Sequence, residues 1–510
     1  MESSSQTRVE IPDTDVTSFV LEHAGERAGK PALIDGPSGR TLTYGELANG
    51  VRALAAGLAA RGFGKGDVLA VYMPNLPEYA IAFHGTASAG GRCTTVNPLY
   101  TANELTHQLE DSGAKFLLTV PPFLDAAREA AERAGIEQVF VVGEGEGSTP
   151  FAELLGDPAD APEVEIDSGS DLAVLPYSSG TTGLPKGVML THRNLVANLS
   201  QVQDAFPIEE DDTLIGCLPF FHIYGMTVIM NQGLRAGATI VTMPRFDLDQ
   251  FLGLLEEHGV TLAYVVPPIA LALGKHPAVD GRDLSSLRIV ASSGSALPVP
   301  VVQEWLDRVG PNLYNLYGST EVGQATLATP EDLAGEPATA GRALPGSVIA
   351  ILDEGGTDVE PGTIGRIFVG SGAQFEQYTG GGGKEIIGGL MSSGDVGYLR
   401  PDGLLFVTGR ADDMIVSGGE NVFPREVEDL LLAHPAIDDV AVVGVDDPEF
   451  GQRLAAYVVK ADGARLSATA VRRLVSDTLA RHKTPRDVHF VSDLPRTVTG
   501  KIRRNQLDRG

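Results

Sequence analysis

From Val68 onward, short apolar runs alternate with longer amphipathic ones, and this alternation restricts the chain to layered α/β architecture. A strand covered on both faces reads as an unbroken apolar run, whereas the helix that covers it needs one apolar stripe and one polar one. The pattern predicts strands over 67–73, 116–120 and 139–142, with helices over 78–88, 102–111 and 126–134. It resumes with strands at 238–242, 261–266 and 287–291 and helices at 248–258 and 299–308. Over 346–370 the texture changes to short alternating runs broken by Asp353-Glu354-Gly355-Gly356 and Glu360-Pro361-Gly362, which predicts a small antiparallel β region. The stretch 377–389 is glycine-rich and reads as a mobile loop. Strand patterns at 440–445, 454–459 and 488–491 around a helix at 468–481 then have enough apolar residues for a separate α+β unit.

A chain of 510 residues exceeds one ordinary core, so at least two domains are expected, and an apolar content of 43% suffices to build them. A formal charge of -29 argues against nucleic acid or an anionic membrane surface as a partner. Cys93 and Cys217 stand far apart, which leaves neither a disulfide framework nor a cysteine-rich metal site and points to a reducing, cytoplasmic setting. Residues 1–15 lack a basic region followed by an apolar one, no apolar run reaches membrane-spanning length, and Asp508-Arg509-Gly510 is no peroxisomal address.

The chemistry concentrates in Tyr177-Ser178-Ser179-Gly180-Thr181-Thr182-Gly183-Leu184-Pro185-Lys186-Gly187. Glycines let backbone N–H groups turn toward an anion, the hydroxyls donate further hydrogen bonds, and Lys186 adds a mobile positive charge. The run is not a Walker loop, because Pro185 precedes the lysine and Gly187 follows it. On these residues alone a flexible surface turn is the competing reading.

The run resembles the phosphate-binding loop of the acyl-adenylate-forming superfamily, which includes acyl- and aryl-CoA synthetases, peptide-synthetase adenylation domains and beetle luciferases. Further family-like segments follow in the expected order: Pro219-Phe220-Phe221-His222-Ile223-Tyr224-Gly225, Tyr317-Gly318-Ser319-Thr320-Glu321, Ser393-Gly394-Asp395, Gly409-Arg410, Ser417-Gly418-Gly419-Glu420-Asn421 and Pro495-Arg496-Thr497-Val498-Thr499-Gly500-Lys501. The resemblance implies a large N-terminal ATP- and acyl-binding domain, 1–410, and a mobile C-terminal lid, 411–510. It also implies ATP, Mg²⁺ and coenzyme A as cofactor or co-substrates, and a small carboxylic acid as the partner.

By the same resemblance, Ser178, Ser179, Gly180, Thr181, Thr182 and Lys186 would hold the β- and γ-phosphates, Thr320 the α-phosphate, and Glu321 the Mg²⁺. Asp395, in a tight glycine turn, and Arg410 would take the ribose; Asn315 and the turn 293–296 would line the adenine. Lys501 would reach the α-phosphate and the acyl carboxylate during adenylation. His222 would flank the acyl entrance, and Tyr224, Val228, Ser295, Leu316, Gly318 and Val322 would line the acyl pocket. Arg245, Gly418 and Gly419 would serve CoA, and Asp412 matches the family's hinge position. Read without the family, Glu321 is a helix-start carboxylate, His222 a packed core residue and Lys501 an exposed lysine.

Up to about Leu287 the chain looks like 4-coumarate-type aryl-CoA ligases, and beyond it more like bacterial fatty-acyl-CoA ligases. Asp412 and Val416 replace two lysines of the plant-type enzymes, and Leu316 replaces a smaller pocket residue. The expected activity is therefore ligation of an aryl or a medium- or long-chain fatty acid to CoA through an acyl adenylate. Loading of a carrier protein, luciferase-type oxygenation and nucleotide binding without turnover are the alternatives.

Overall fold

The computed structural model describes residues 9–178, 185–206, 208–417, 420–447, 451–497 and 500–507. Two large sheets form the N-terminal domain. The first has nine strands among the described residues, and its centre is parallel, running Leu313–Ser319, Ile289–Ser292, Leu262–Val265, Thr213–Gly216, Thr239–Thr242 and Pro31–Asp35. The second runs Leu190–Thr191, Leu172–Ser178, Arg92–Thr95, Val68–Tyr72, Phe116–Thr119, Gln138–Val141 and Thr149–Pro150. Central strands such as Val68–Tyr72 are buried along their whole length, which is why they appear as apolar runs without alternation.

Helices Pro77–Ser88, Ala102–Ser112, Leu124–Ala134, Leu248–Glu257 and Val299–Arg308 match the predicted positions within a few residues. Their ends have local causes. Thr101 accepts from Glu104 N while the Glu104 carboxylate returns to Thr101 N, and Gly113 closes the same helix in the left-handed conformation. The C-terminal helix is shorter than the 468–481 pattern, ending at Ser476. The predicted elements did not include the Tyr44–Ala60 helix, which buries Leu47, Val51, Leu54 and Leu58, or Gly225–Asn231, a buried π-helix. Tyr44 fixes the first of these by donating to Ala238 O at 2.7 Å.

The antiparallel region expected over 346–370 is a five-stranded sheet built from Val348–Leu352, Gly365–Gly370, Ile386–Ile387, Leu390–Leu399 and Leu405–Arg410. One continuous core joins it to both large sheets as far as Leu405. Beyond it lies a smaller C-terminal domain, whose sheet of Ile415–Ser417, Glu420–Val422, Ile437–Asp447, Gly451–Lys460 and Asp487–Val491 has its own apolar core around Ile415, Val427, Val442 and Val471. The fold class is thus the expected one. The smaller domain rests on the larger through few polar contacts: Arg425 donates to Val407 O at 2.8 Å and to Leu297 O at 3.2 Å.

Candidate active site

The site is organised by strand Leu313–Ser319 and its antiparallel return, Gly323–Ala328. The two backbones approach so closely that a Cβ on Gly318 would lie 2.1 Å from Gly323 O. The intervening turn carries Thr320 and Glu321, and no helix starts there. Glu321 is only 6% exposed. Its carboxylate accepts from Tyr378 Oη at 3.0 Å and from Ser178 Oγ at 3.4 Å, and Lys384 Nζ stands 3.6 Å away. Burial raises the Glu321 pKa, but the Lys384 charge and the hydroxyl donors outweigh it and hold the group below its ordinary value. Lys186 Nζ lies over the Tyr378 ring, 5.8 Å from its centre. Tyr378 and Lys384 come from the glycine-rich stretch that reads as a mobile loop in the sequence. Here the stretch is tied to the site at three residues while most of its glycines stay exposed: Thr379 N bonds to Gly187 O, and the Tyr378 and Lys384 side chains engage Glu321.

A second carboxylate cluster lies on the same strand. Tyr317 donates to Asp395 Oδ2 at 2.6 Å, and Arg410 Nη1 reaches Asp395 Oδ1 at 3.5 Å while its Nε bonds to Asp412 at 3.2 Å. Asp395 is not in a tight turn, as its glycine neighbours suggested, but within strand Leu390–Leu399, directly opposite Arg410. Gly394 instead takes a φ of +82° just before it, which lets Ala411 N bond to Gly394 O at 3.0 Å. Burial raises the Asp395 pKa more than Arg410, Tyr317, Lys384 and Lys501 lower it. Lys501 itself is exposed on a turn in which Thr497 N bonds to Lys501 O at 2.8 Å and Gly500 adopts a φ of +78°. That turn sits against the large domain, where a Cβ on Gly500 would meet Pro268 at 3.2 Å.

The acyl candidates surround the π-helix. Tyr224 is buried and donates to Ala291 O at 3.0 Å; Val228, Leu316 and Val322 are buried, and Ser295 is half-buried on the loop after Ile289–Ser292. His222 Nδ1 accepts from Tyr224 N at 3.2 Å, and burial depresses its pKa to about 4 despite the nearby Glu321 charge, so the ring is neutral at working pH. Asn315 donates to Thr339 O at 3.0 Å. Arg245 is exposed and takes no part in the bonds that build either carboxylate cluster. Ser179, Gly180, Thr181, Thr182, Gly418 and Gly419 lie outside the described residues.

The roles of Tyr317, Tyr378 and Lys384 were not visible in the sequence. Only the position of Tyr317 inside its motif, and a lone lysine among glycines, could have drawn attention to them. Among the described residues no three His, Cys, Asp or Glu side chains converge as a metal cluster. A single ionised carboxylate at Glu321 nevertheless fits Mg²⁺, which is held largely by phosphate oxygens and water in sites of this kind. Among the described residues no helix is long and apolar enough to cross a membrane.

The raised Asp395 pKa has a stability consequence. A carboxyl that is easier to protonate in the folded state contributes stability below its unfolded pKa and loses it as pH rises through the folded value. Asp395→Asn should therefore be at least as stable as the parent at pH 7, with any difference shrinking toward pH 4. Urea unfolding at the two pH values measures this; a variant clearly less stable at pH 7 would contradict the assignment of burial as the dominant cause.

Two family models match this chain: AMP-binding enzyme over residues 20–379, and AMP-binding enzyme C-terminal domain over residues 426–501. Curated relatives include 4-coumarate--CoA ligase 3 of Oryza sativa subsp. japonica, 34% identical across 98% of this chain and 94% of its own length. Another is 4-coumarate:CoA ligase 1 of Petunia hybrida, 35% identical across 96% and 93%. Among solved structures, o-succinylbenzoate CoA synthetase from Bacillus subtilis, in complex with its acyl-adenylate intermediate, superposes with a TM-score of 0.85 at 29% identity, covering 98% of this chain and 99% of that one. An anthranilate CoA ligase in complex with anthranoyl-AMP superposes with a TM-score of 0.87 at 26% identity, covering 97% and 96%. With both of its domains matched and its relatives aligned over nearly their whole length, the chain belongs to the AMP-binding enzyme family, the acyl-adenylate-forming enzymes that include the acyl- and aryl-CoA ligases, and is an acid–thiol ligase.

Proposed function

We propose that the protein converts a carboxylic acid to its CoA thioester in two steps that share one site. The observation carrying this reading is that one hairpin, Leu313–Ala328, holds both the Glu321 cluster and, through Tyr317, the Asp395–Arg410 pair, with the Lys501 turn docked close enough for its charge to act on Asp395. In the first step an oxygen of the acid attacks the α-phosphorus of ATP and pyrophosphate leaves. In the second the CoA sulfur attacks the acyl carbon, its proton passes to solvent, and AMP leaves.

Negative charge builds on the phosphoryl oxygens in the first step, so cations already in place lower the barrier. Lys186, with the hydroxyls from Ser178 to Thr182, holds the β- and γ-phosphates. Thr320 bonds the α-phosphate, and Lys501 bridges it to the attacking carboxylate. Asp395 and Arg410 fix the ribose, and Asn315 lines the adenine side. Glu321 would hold Mg²⁺, whose charge would offset that of the phosphates. His222, neutral at working pH, donates to or gates the acyl carboxylate without adding charge.

The domain boundary lies just after Arg410. The core of the larger domain ends at Leu405 and that of the smaller begins at Ile415, which supports this placement. Asp412, exposed and bonded to Arg410, is the hinge at which a few torsions turn the lid between the two steps. In the present orientation Lys501 is near Asp395, as the first step requires. The second brings Gly418 and Gly419 to the pantetheine arm and the exposed Arg245 to the CoA phosphates.

The acid is an aryl acid of the 4-coumarate type or a medium- or long-chain fatty acid. The 4-coumarate–CoA ligases among the relatives favour the first, and the buried Leu316 favours a flexible chain over a planar ring. Carrier-protein loading shares the first step, and exposed Arg245 favours free CoA over it; luciferase-type oxygenation has no supporting feature here.

The test is ATP–pyrophosphate exchange and thioester formation across a panel of aryl and C6 to C16 acids, with and without CoA. Acid-dependent exchange together with CoA thioester is the expected outcome; exchange with no CoA thioester would move the assignment to a carrier protein. Lys501→Ala should lower exchange on the order of a hundredfold, about 3 kcal/mol, while sparing thioester formation from a supplied acyl adenylate. Equal loss in both steps would make Lys501 structural or shared.

Leu316→Gly should raise kcat/KM for cinnamate-like acids relative to a medium-chain acid, by a factor corresponding to about 1 to 3 kcal/mol. An unchanged ratio between the two acids would remove Leu316 from the acyl pocket.

A further inference from the structure

Outside the two carboxylate clusters, one charged side chain grips the stem of the phosphate loop from behind. Asp111 lies in the last turn of helix Ala102–Ser112. Its Oδ2 accepts from Tyr177 Oη at 2.6 Å and from Thr379 Oγ1 at 2.6 Å. Tyr177 directly precedes Ser178 on the strand entering the loop, and in the ladder that closes the loop Tyr177 opposes Gly187 while Ser178 opposes Lys186. Thr379 holds the other side of that ladder: its Oγ1 accepts from Gly187 N at 3.0 Å and its N donates to Gly187 O at 2.8 Å. A Cβ on Gly187 would stand 2.8 Å from Thr379 Cγ2 and 3.1 Å from Tyr177 Cε2, so only bare backbone fits between them. The neighbouring residue Tyr378 bridges to Val188 and donates to Glu321.

Helix stability does not account for this carboxylate. An acidic group in a last turn opposes the helix dipole, and no basic residue in that turn offsets it. Tyr177 remains a donor at working pH, since burial first and the Asp111 bond second push its phenol above the ordinary value. Two hydroxyl donors thus converge on one carboxylate oxygen, and hydrogen bonds to a carboxylate are stronger than bonds between neutral groups.

The geometry points to Asp111 as a positioning residue for ATP: without touching the nucleotide, it locks the loop stem and the Tyr378 segment in one register and so sets Lys186 and Glu321 relative to each other. This inference rests on the proposed function for its consequence in catalysis, but its structural content concerns nucleotide binding alone.

The test compares the parent, Asp111→Ala, Asp111→Asn, Tyr177→Phe and the Asp111→Ala/Tyr177→Phe pair. The readouts are equilibrium binding of a fluorescent ATP analogue with Mg²⁺, KM for ATP and for the acid in pyrophosphate exchange, and thermal unfolding. Asp111→Ala should weaken analogue binding and raise KM for ATP by about tenfold, leaving KM for the acid within about twofold. Asp111→Asn, which keeps one acceptor oxygen without the charge, should fall between, and Tyr177→Phe should add little once Asp111 is gone. Analogue affinity within twofold of the parent, or equal rises in both KM values with a lower melting temperature, would overturn the inference. Should the parent bind the analogue yet show no acid-dependent exchange, the ligase reading falls while the affinity comparison still decides the role of Asp111.

Discussion

Keeping Glu321 ionised inside the protein is the constraint on which the rest of the site depends. A carboxylate with 6% exposure would ordinarily take up a proton, because burial penalises its charge. Here the penalty is offset by Lys384, by the Tyr378 and Ser178 hydroxyls, and by Ser319, which together hold the group below its ordinary pKa. The partners arrive from three parts of the chain: the phosphate-loop strand, the hairpin, and the glycine-rich segment after the strand Gly365–Gly370. The segment that contributes Tyr378 and Lys384 is therefore not a free flap, since releasing it would strand a buried charge.

The second carboxylate shows the opposite balance. Asp395 is flanked by Arg410 and Tyr317, yet burial still raises its pKa. A site tuned for stability alone would place a neutral side chain there. A carboxylate facing two vicinal hydroxyls gains further hydrogen bonds when the ligand arrives, which is consistent with the ribose role proposed for it. Under the proposed function the two clusters would divide the work: a charge stabilised in advance for cation and phosphate, and a charge left costly until a nucleotide engages it.

Much of this was legible in the sequence for identifiable reasons. Fully buried strands such as Val68–Tyr72 announce themselves as apolar runs, and Pro77 or the Thr101/Glu104 pair mark where helices begin. Of the motif residues singled out by the resemblance, Ser178 and Glu321 meet in one cluster, Asp395 and Arg410 in another, and Lys501 lies on a turn against the larger domain. What stayed hidden was long-range. Nothing local in the run from Gln377 to Gly389 says that Tyr378 and Lys384 cross to Glu321, because glycine richness signals conformational freedom and not the contacts that remove it. The Tyr44–Ala60 helix precedes the alternation that begins at Val68, although its Thr43/Glu46 capping box and its Leu47, Val51, Leu54, Leu58 stripe are both present in the sequence. The environment of Asp395 was misread for a related reason: Gly394 adopts its left-handed backbone within a strand, not in a turn.

The central claim is that the acid oxygen attacks the α-phosphorus of ATP, which places the acyl group on AMP. An acid labelled with ¹⁸O in its carboxylate, incubated with the enzyme, ATP, Mg²⁺ and CoA, tests it directly by mass spectrometry of the products. The account predicts one labelled oxygen in the phosphate of AMP for every thioester formed, with unlabelled pyrophosphate. Label appearing in inorganic phosphate or pyrophosphate, or thioester formed with unlabelled AMP, would contradict it.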